Sequence, residues 1–278
     1  MKARHLLFGL LAAGMLLAGC ADKEAERAQA RLDGARALVE AGRWDTAKVE
    51  LDSIHVLYRQ QVDVRRQAKA LADSIVYLEA QRTLAYSDSV LEELLPQVDP
   101  LLKRFRYEKD DKYESNGQYV SRQLQTERNM ERCYLQAYVG DNRVTRVKSY
   151  YYGEAPLVQQ SVALQVRAEG APESISEVGT CHSFEADGYY SILTMEDEPA
   201  IRLLTFVANH QNDRIRVQLN GTKGNEAKGQ YVYYLSDNDK SALTETLQLA
   251  VMFFDIKRLE EAIHLANMQI LKYEMGKE

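Results

Sequence analysis

The sequence predicts an α+β fold: an N-terminal helical hairpin with a long helix, an antiparallel β-sheet domain carrying one helix, and a long C-terminal helix packing antiparallel on the N-terminal long helix as a coiled-coil-like stalk. Three observations predict it. Before residue 105 the apolar residues recur every third or fourth position, after Gln118 they alternate, and beyond residue 237 an unbroken heptad runs nearly to the end. The 278 residues divide on this pattern into 24–105, 106–236 and 237–278, preceded by a leader of 1–19 and a tether of 20–23. The chain is 45% hydrophobic and 27% charged with 15 Gly and 5 Pro, which is globular rather than low-complexity or disordered. A net charge of -6 argues against a nucleic-acid partner, whose phosphates demand a basic surface. The mean hydropathy of -0.42 argues against several membrane spans.

The first helix covers about 22–41, with Ala25, Ala28, Leu32, Ala35 and Leu38 on one face and Gly42 as its stop. Trp44, Ala47, Leu51 and Ile54 start the second. A third spans about 62–95, where Val64, Ala68, Leu71, Ile75 and Leu78 space 4-3-4-3. Leu91, Leu94, Val98, Leu101 and Phe105 continue the stripe, but Pro96 and Pro100 are expected to kink or break it. Residues 104–117 read as a charged hinge. From there Cys133, Leu135, Ala137 and Val139 alternate with polar residues and Tyr. So do Val162, Leu164 and Val166, then Ile215, Val217 and Leu219, then Tyr231, Tyr233 and Leu235. Turn signals at Gly140-Asp141-Asn142, Gly153, Gly170, Gly188 and Asn220-Gly221 separate them, giving one antiparallel sheet of six to eight strands. A helix over about 197–209 interrupts it. The last helix, about 238–274, carries Leu249, Met252, Ile256, Leu259, Ile263, Ala266, Ile270 and Tyr273 at 3-4-3-4-3-4-3. That is a coiled-coil seam matching the stripe of the 62–95 helix, and the two either pair antiparallel as a stalk or the seam forms a homodimeric coiled coil.

The chain opens with Lys2, Arg4 and His5, then an apolar run from Leu6 to Leu17, then Leu17-Ala18-Gly19-Cys20. The run is short for a bilayer span. The ending resembles the bacterial lipobox, which implies cleavage between Gly19 and Cys20 and lipidation of Cys20. Several acyl chains anchor firmly, each buried CH₂ adding about 0.8 kcal/mol. Losing Lys2 and Arg4 leaves the remaining chain more acidic, so lipid rather than a basic patch is expected to hold it at the membrane. The expected location is the cell envelope, lipid-anchored, at the outer membrane. Ala37-Leu38-Val39-Glu40-Ala41-Gly42-Arg43-Trp44-Asp45-Thr46-Ala47 resembles the helix junction of a tetratricopeptide repeat over about residues 24–57, although Tyr58 stands near the place of the usual Pro. One such repeat cannot form a peptide-binding array. Asp45-Thr46-Ala47, Asp52-Ser53-Ile54, Asp73-Ser74-Ile75 and Asp88-Ser89-Val90 resemble the general O-glycosylation acceptor of Bacteroides-type bacteria. Thr46, Ser53, Ser74 and Ser89 are then glycan acceptors, or the motif is an amphipathic helix idiom. The whole chain resembles the uncharacterised exported lipoproteins of such bacteria, which implies location and no activity.

Candidates for chemistry are few. Cys133 and Cys181 are either a disulfide or two buried thiols. His55, His182, His210 and His264 show no zinc spacing, so no metal site is implied. No nucleophile motif or phosphate-cradling Gly loop occurs, and neither a catalytic residue nor a cofactor is implied. Asp237-Asn238-Asp239 lacks the Gly and Glu of a calcium loop and reads, with Ser236, as a helix cap. Tyr150, Tyr151 and Tyr152, from a set of 17 Tyr, are the candidate binding surface. The expectation is a non-enzymatic accessory lipoprotein that binds an envelope protein partner. The alternative is a carbohydrate-binding lipoprotein, weakened by the single Trp.

Overall fold

A computed structural model describes residues 23–109, 112, 116–167, 172–223 and 227–276. The leader, Gly19 and Cys20 lie outside the described residues. The fold is α+β, and the described residues form two compact units, one of those within 23–89 and 260–276 and the other of those within 90–259.

The first unit is helical. Helix α1 (residues 23–40) and α2 (Trp44–Leu57) form the hairpin, followed by the first part of α3 (Val62–Leu102). Gly42 takes φ +72, a left-handed conformation that glycine adopts without strain, and Arg43 N–H closes the turn on Leu38 C=O at 2.9 Å. Ala28, Leu32, Ala35, Ala47, Leu51, Ile54, Ala68 and Ile75 are buried in one core, where each large aliphatic contributes about 1.5–3 kcal/mol. Arg31 to Glu50 (2.6 Å) and Lys48 to Glu79 (2.7 Å) lace its rim. Between α2 and α3 no proline is needed. Tyr58 N–H bonds Ile54 C=O, and Gln61 N–H bonds Tyr58 C=O. The end of α5 (Asp237–Met275) packs antiparallel on α3, where Tyr77 stacks on Tyr273 at 4.5 Å.

The second unit holds two antiparallel sheets where the alternation suggests one. Sheet A runs β1 (Phe105–Glu108), β2 (Gln118–Ser121), β3 (Tyr134–Gly140), β4 (Thr145–Gly153), then β8 (Tyr189–Glu196) and β7 (Thr180–Glu185). Sheet B runs β10 (Ala227–Tyr234), β9 (Arg216–Lys223), β5 (Val158–Arg167), β6 (Pro172–Val178). Their inner faces share one core with α4 (Glu198–Asn209): Leu135, Val147, Leu193 and Met195 from sheet A, Val162, Leu164, Val217 and Leu219 from sheet B, and Leu203, Leu204 and Val207 from α4. Gln159 pins the sheets together. Its amide Nε2 donates to Ser149 C=O (2.9 Å) and Ser191 C=O (2.7 Å), and its Oε1 accepts from Ser149 Oγ. Opposite it, Gly221 is obligatory, because a Cβ there would lie 2.0 Å from Val158 O.

Two local expectations are corrected. Pro96 and Pro100 lie inside α3, which continues to Leu102. Both are exposed, so water can satisfy the carbonyls they orphan, and Gln97 Nε2 donates to Glu93 C=O within the same turn. The charged segment after α3 is not simply a hinge: Phe105 is buried, and β1 pairs with β2 from Phe105↔Ser121 to Glu108↔Gln118. At the far end Ser236 caps α5. Its Oγ accepts from Asp239 N–H (3.1 Å), while Asp239 Oδ2 accepts from Ser236 N–H (3.2 Å).

Candidate interaction surfaces

The Tyr150–Tyr152 run is not an open face. Tyr151 points inward, is buried, and donates to Ala155 C=O at 2.7 Å. Tyr150 stacks on Tyr134 at 4.6 Å and donates to Gln136 Oε1. The segment before β3 folds over that face of the sheet, with Gln136 Nε2 donating to Leu124 C=O at 2.7 Å, so all seven residues of β3 are buried on both sides. Alternation cannot reveal that cover, because the loop buries Tyr134 and Gln136 from outside, while Arg146 and Lys148 of β4 lie over Tyr138. Tyr152 is half-buried and continues a cross-strand ladder to Tyr190 (5.0 Å) and Phe184 (4.9 Å, interplanar 8°). Tyr190 thus lies between two rings, while Phe184, on edge strand β7, is 53% exposed. Asp187 accepts from the Tyr190 hydroxyl and holds the phenol up at about 12.

Cys133 and Cys181 are free thiols rather than a disulfide. Cys133 precedes β3 and Cys181 lies on β7, with β4 and β8 between them. Burial pushes the Cys133 thiol up, against the opposing effect of a backbone hydrogen bond at Tyr152. Cys181 Sγ sits 3.3 Å from Ser191 Oγ. The candidate acceptors Thr46, Ser53, Ser74 and Ser89 all stand on helices of the first unit. Thr46 and Ser89 are exposed. Ser53 and Ser74 are half-buried and donate to Val49 C=O (2.8 Å) and Leu71 C=O (2.7 Å).

The second unit carries a mainly apolar groove of about 660 Å³ between the end of α3 and the start of α5. Leu94, Leu101, Leu247, Val251 and Met252 form its walls, and Arg104 and Asp255 mark its polar limits. Arg104 Nη1 pairs with Glu245 at 2.6 Å. Thr244 also lines it, and its buried hydroxyl has no partner among the described residues. Val251 is 49% exposed, and Phe254, three residues further along α5, 63%. The sequence holds a signal for this groove. Leu247, Leu249, Ala250, Val251, Met252, Phe253 and Phe254 are more apolar residues than one seam can use. Among the described residues, no group of three or more His, Cys, Asp and Glu could hold a metal ion. No described helix is long and apolar enough to cross a membrane.

Comparison with protein-family models, with curated proteins and with solved structures finds no match to this chain.

Proposed function

We propose that this chain is a lipid-anchored protein of the bacterial envelope, at the outer membrane, and that it holds a protein partner rather than turning over a substrate. The anchor rests on the Leu17-Ala18-Gly19-Cys20 motif. The observation that carries the partner is the groove of the second unit, whose apolar walls, half-exposed Val251 among them, suit the apolar face of a partner segment. Carbohydrate has less support. Tyr190 is covered by Tyr152 and Phe184, and one face of exposed Tyr234 is taken by Arg214 at 4.0 Å.

The test is a photo-crosslinking residue at Val251 in the native membrane, followed by mass spectrometry. One dominant protein adduct is expected, reduced about tenfold or more by Met252→Asp, since a charge in an apolar contact centre removes a large share of binding. Cys20→Ser is expected to move the chain out of the membrane fraction. An abundant, anchored chain that yields no protein adduct, and instead scores on a glycan array, would overturn the reading.

A further inference from the structure

The helical hairpin has an apolar and basic tip at the end nearest Cys20. Helix α1 begins at residue 23, three residues after Cys20, and three residues of chain reach at most about 11 Å. Helix α2 runs back along α1, with Arg31 paired to Glu50 across the hairpin. Its end therefore lies beside the first turns of α1, where Arg27 and Tyr58 line one cleft. The turn from α2 into α3 is at that same end. Within its seven residues Val56, Leu57 and Val62 are 63%, 57% and 59% exposed. Ile54, Tyr58 and Val64 already pack in the core from this stretch, so the other three are surplus to it. The same end carries Lys23, Arg27, Arg59, Arg65 and Arg66 against Glu24, Glu26 and Asp63, on a chain whose net charge is -6. Arg65 donates to Arg59 C=O at 3.1 Å, and Arg66 and Asp63, 3.8 Å apart, both stay exposed.

We propose, resting on the lipid anchor proposed above, that this tip sits on an anionic bilayer surface. Val56, Leu57 and Val62 enter the boundary between headgroups and acyl chains, and Arg59 and Arg66 meet lipid phosphates. Aliphatic side chains dip in at that depth while arginine stems lie along them and the guanidinium forks reach up to phosphate oxygens. Each basic residue near an anionic surface strengthens attraction about fivefold. So small a patch binds weakly by itself. Beside acyl chains that already hold the protein, the effective lipid concentration is high, and the patch has only to choose an orientation. The acyl group holds the chain, and the tip decides which end of the hairpin faces the bilayer. A second copy is the weaker occupant, because two tips with a surplus of positive charge oppose one another.

The test places a photo-crosslinking residue at Leu57 in the acylated full chain, bound to vesicles of phosphatidylcholine and phosphatidylglycerol. Mass spectrometry is expected to find phospholipid attached there. Tyr86 is 67% exposed and lies about 36 Å beyond Val62 along α3. A probe at Tyr86 should give at least about tenfold less lipid adduct. R59E/R66E should cut the Leu57 adduct at least about fivefold while the chain still floats with the vesicles, since the acyl anchor is untouched. Circular dichroism checks that this variant stays folded, and omitting phosphatidylglycerol should lower the wild-type adduct in the same way. A floating chain with no lipid adduct at Leu57, with equal adducts at Leu57 and Tyr86, or with a second copy captured in place of lipid overturns the tip and leaves the anchor standing. So does an adduct indifferent to both charge changes. A wild-type chain that does not float overturns the anchor and the tip together.

Discussion

At the scale of single residues, one ion pair carries more structure than its neighbours. Arg132 donates through both Nη atoms to Asp239 (2.6 and 3.0 Å) and through Nε to Asn129, and it lies over the Tyr134 ring. It ties the segment covering β3 to the first turn of α5. Burial alone would raise the Asp239 carboxyl, but Arg132 and Ser236 outweigh burial and hold it below the usual carboxylate range. Its folded value is depressed, so its stabilisation is present above about pH 4 and disappears as pH falls through that folded value. Arg132→Ala is expected to cost about 2 kcal/mol at neutral pH, the scale of charged hydrogen bonds lost from a buried acceptor. With Arg132 gone, only Ser236 opposes burial and the carboxyl sits higher than in the parent chain, so the deficit should shrink on acidification to about pH 4 and below. Denaturant unfolding of both chains at the two pH values checks it. A deficit that grows on acidification would contradict the assignment. The Ser236 cap is legible in sequence because capping is local. Arg132 stands 107 residues from Asp239, and no pattern within the chain connects them.

At the scale of elements, the periodicities place the helices well and the sheets less well. The helices over 23–40, Trp44–Leu57, Glu198–Asn209 and Asp237–Met275 follow from stripes and stops that lie within each segment. The split into two sheets does not, because pairing joins β4 to β8 and β5 to β9 across long stretches of chain. The prolines of α3 show the limit of a local rule. Pro96 orphans a carbonyl and crowds the preceding turn, yet Leu101 and Leu102 pack in the core that Leu249 and Ala250 of α5 share, and that contact keeps the helix whole. Tertiary contact overrides the breaker without removing its cost. Pro96→Ala should therefore raise stability, by about 1–3 kcal/mol against the roughly 3 kcal/mol of an interior helical proline. Thermal and urea unfolding read this directly. An unchanged or lowered midpoint would mean that the proline relieves a strain the helix otherwise carries.

At the scale of the whole molecule, strand order decides what the two cysteines can do. Three inter-strand steps of roughly 4.8 Å separate Cys133 from Cys181, about 14 Å in all, and a disulfide needs Cα atoms within roughly 7 Å. Their bridging would require β7 to leave β8, abandoning the pairs from Thr180↔Thr194 to Glu185↔Tyr189. Even in an oxidising compartment the folded chain should thus keep both thiols. Its intact mass is expected to be identical with and without reductant. Alkylation should reach half-buried Cys181 first and buried Cys133 only on unfolding, since burial also keeps the Cys133 thiol protonated. A two-hydrogen mass change on reduction of the monomer would refute the sheet order itself, because no local adjustment brings those two strands together.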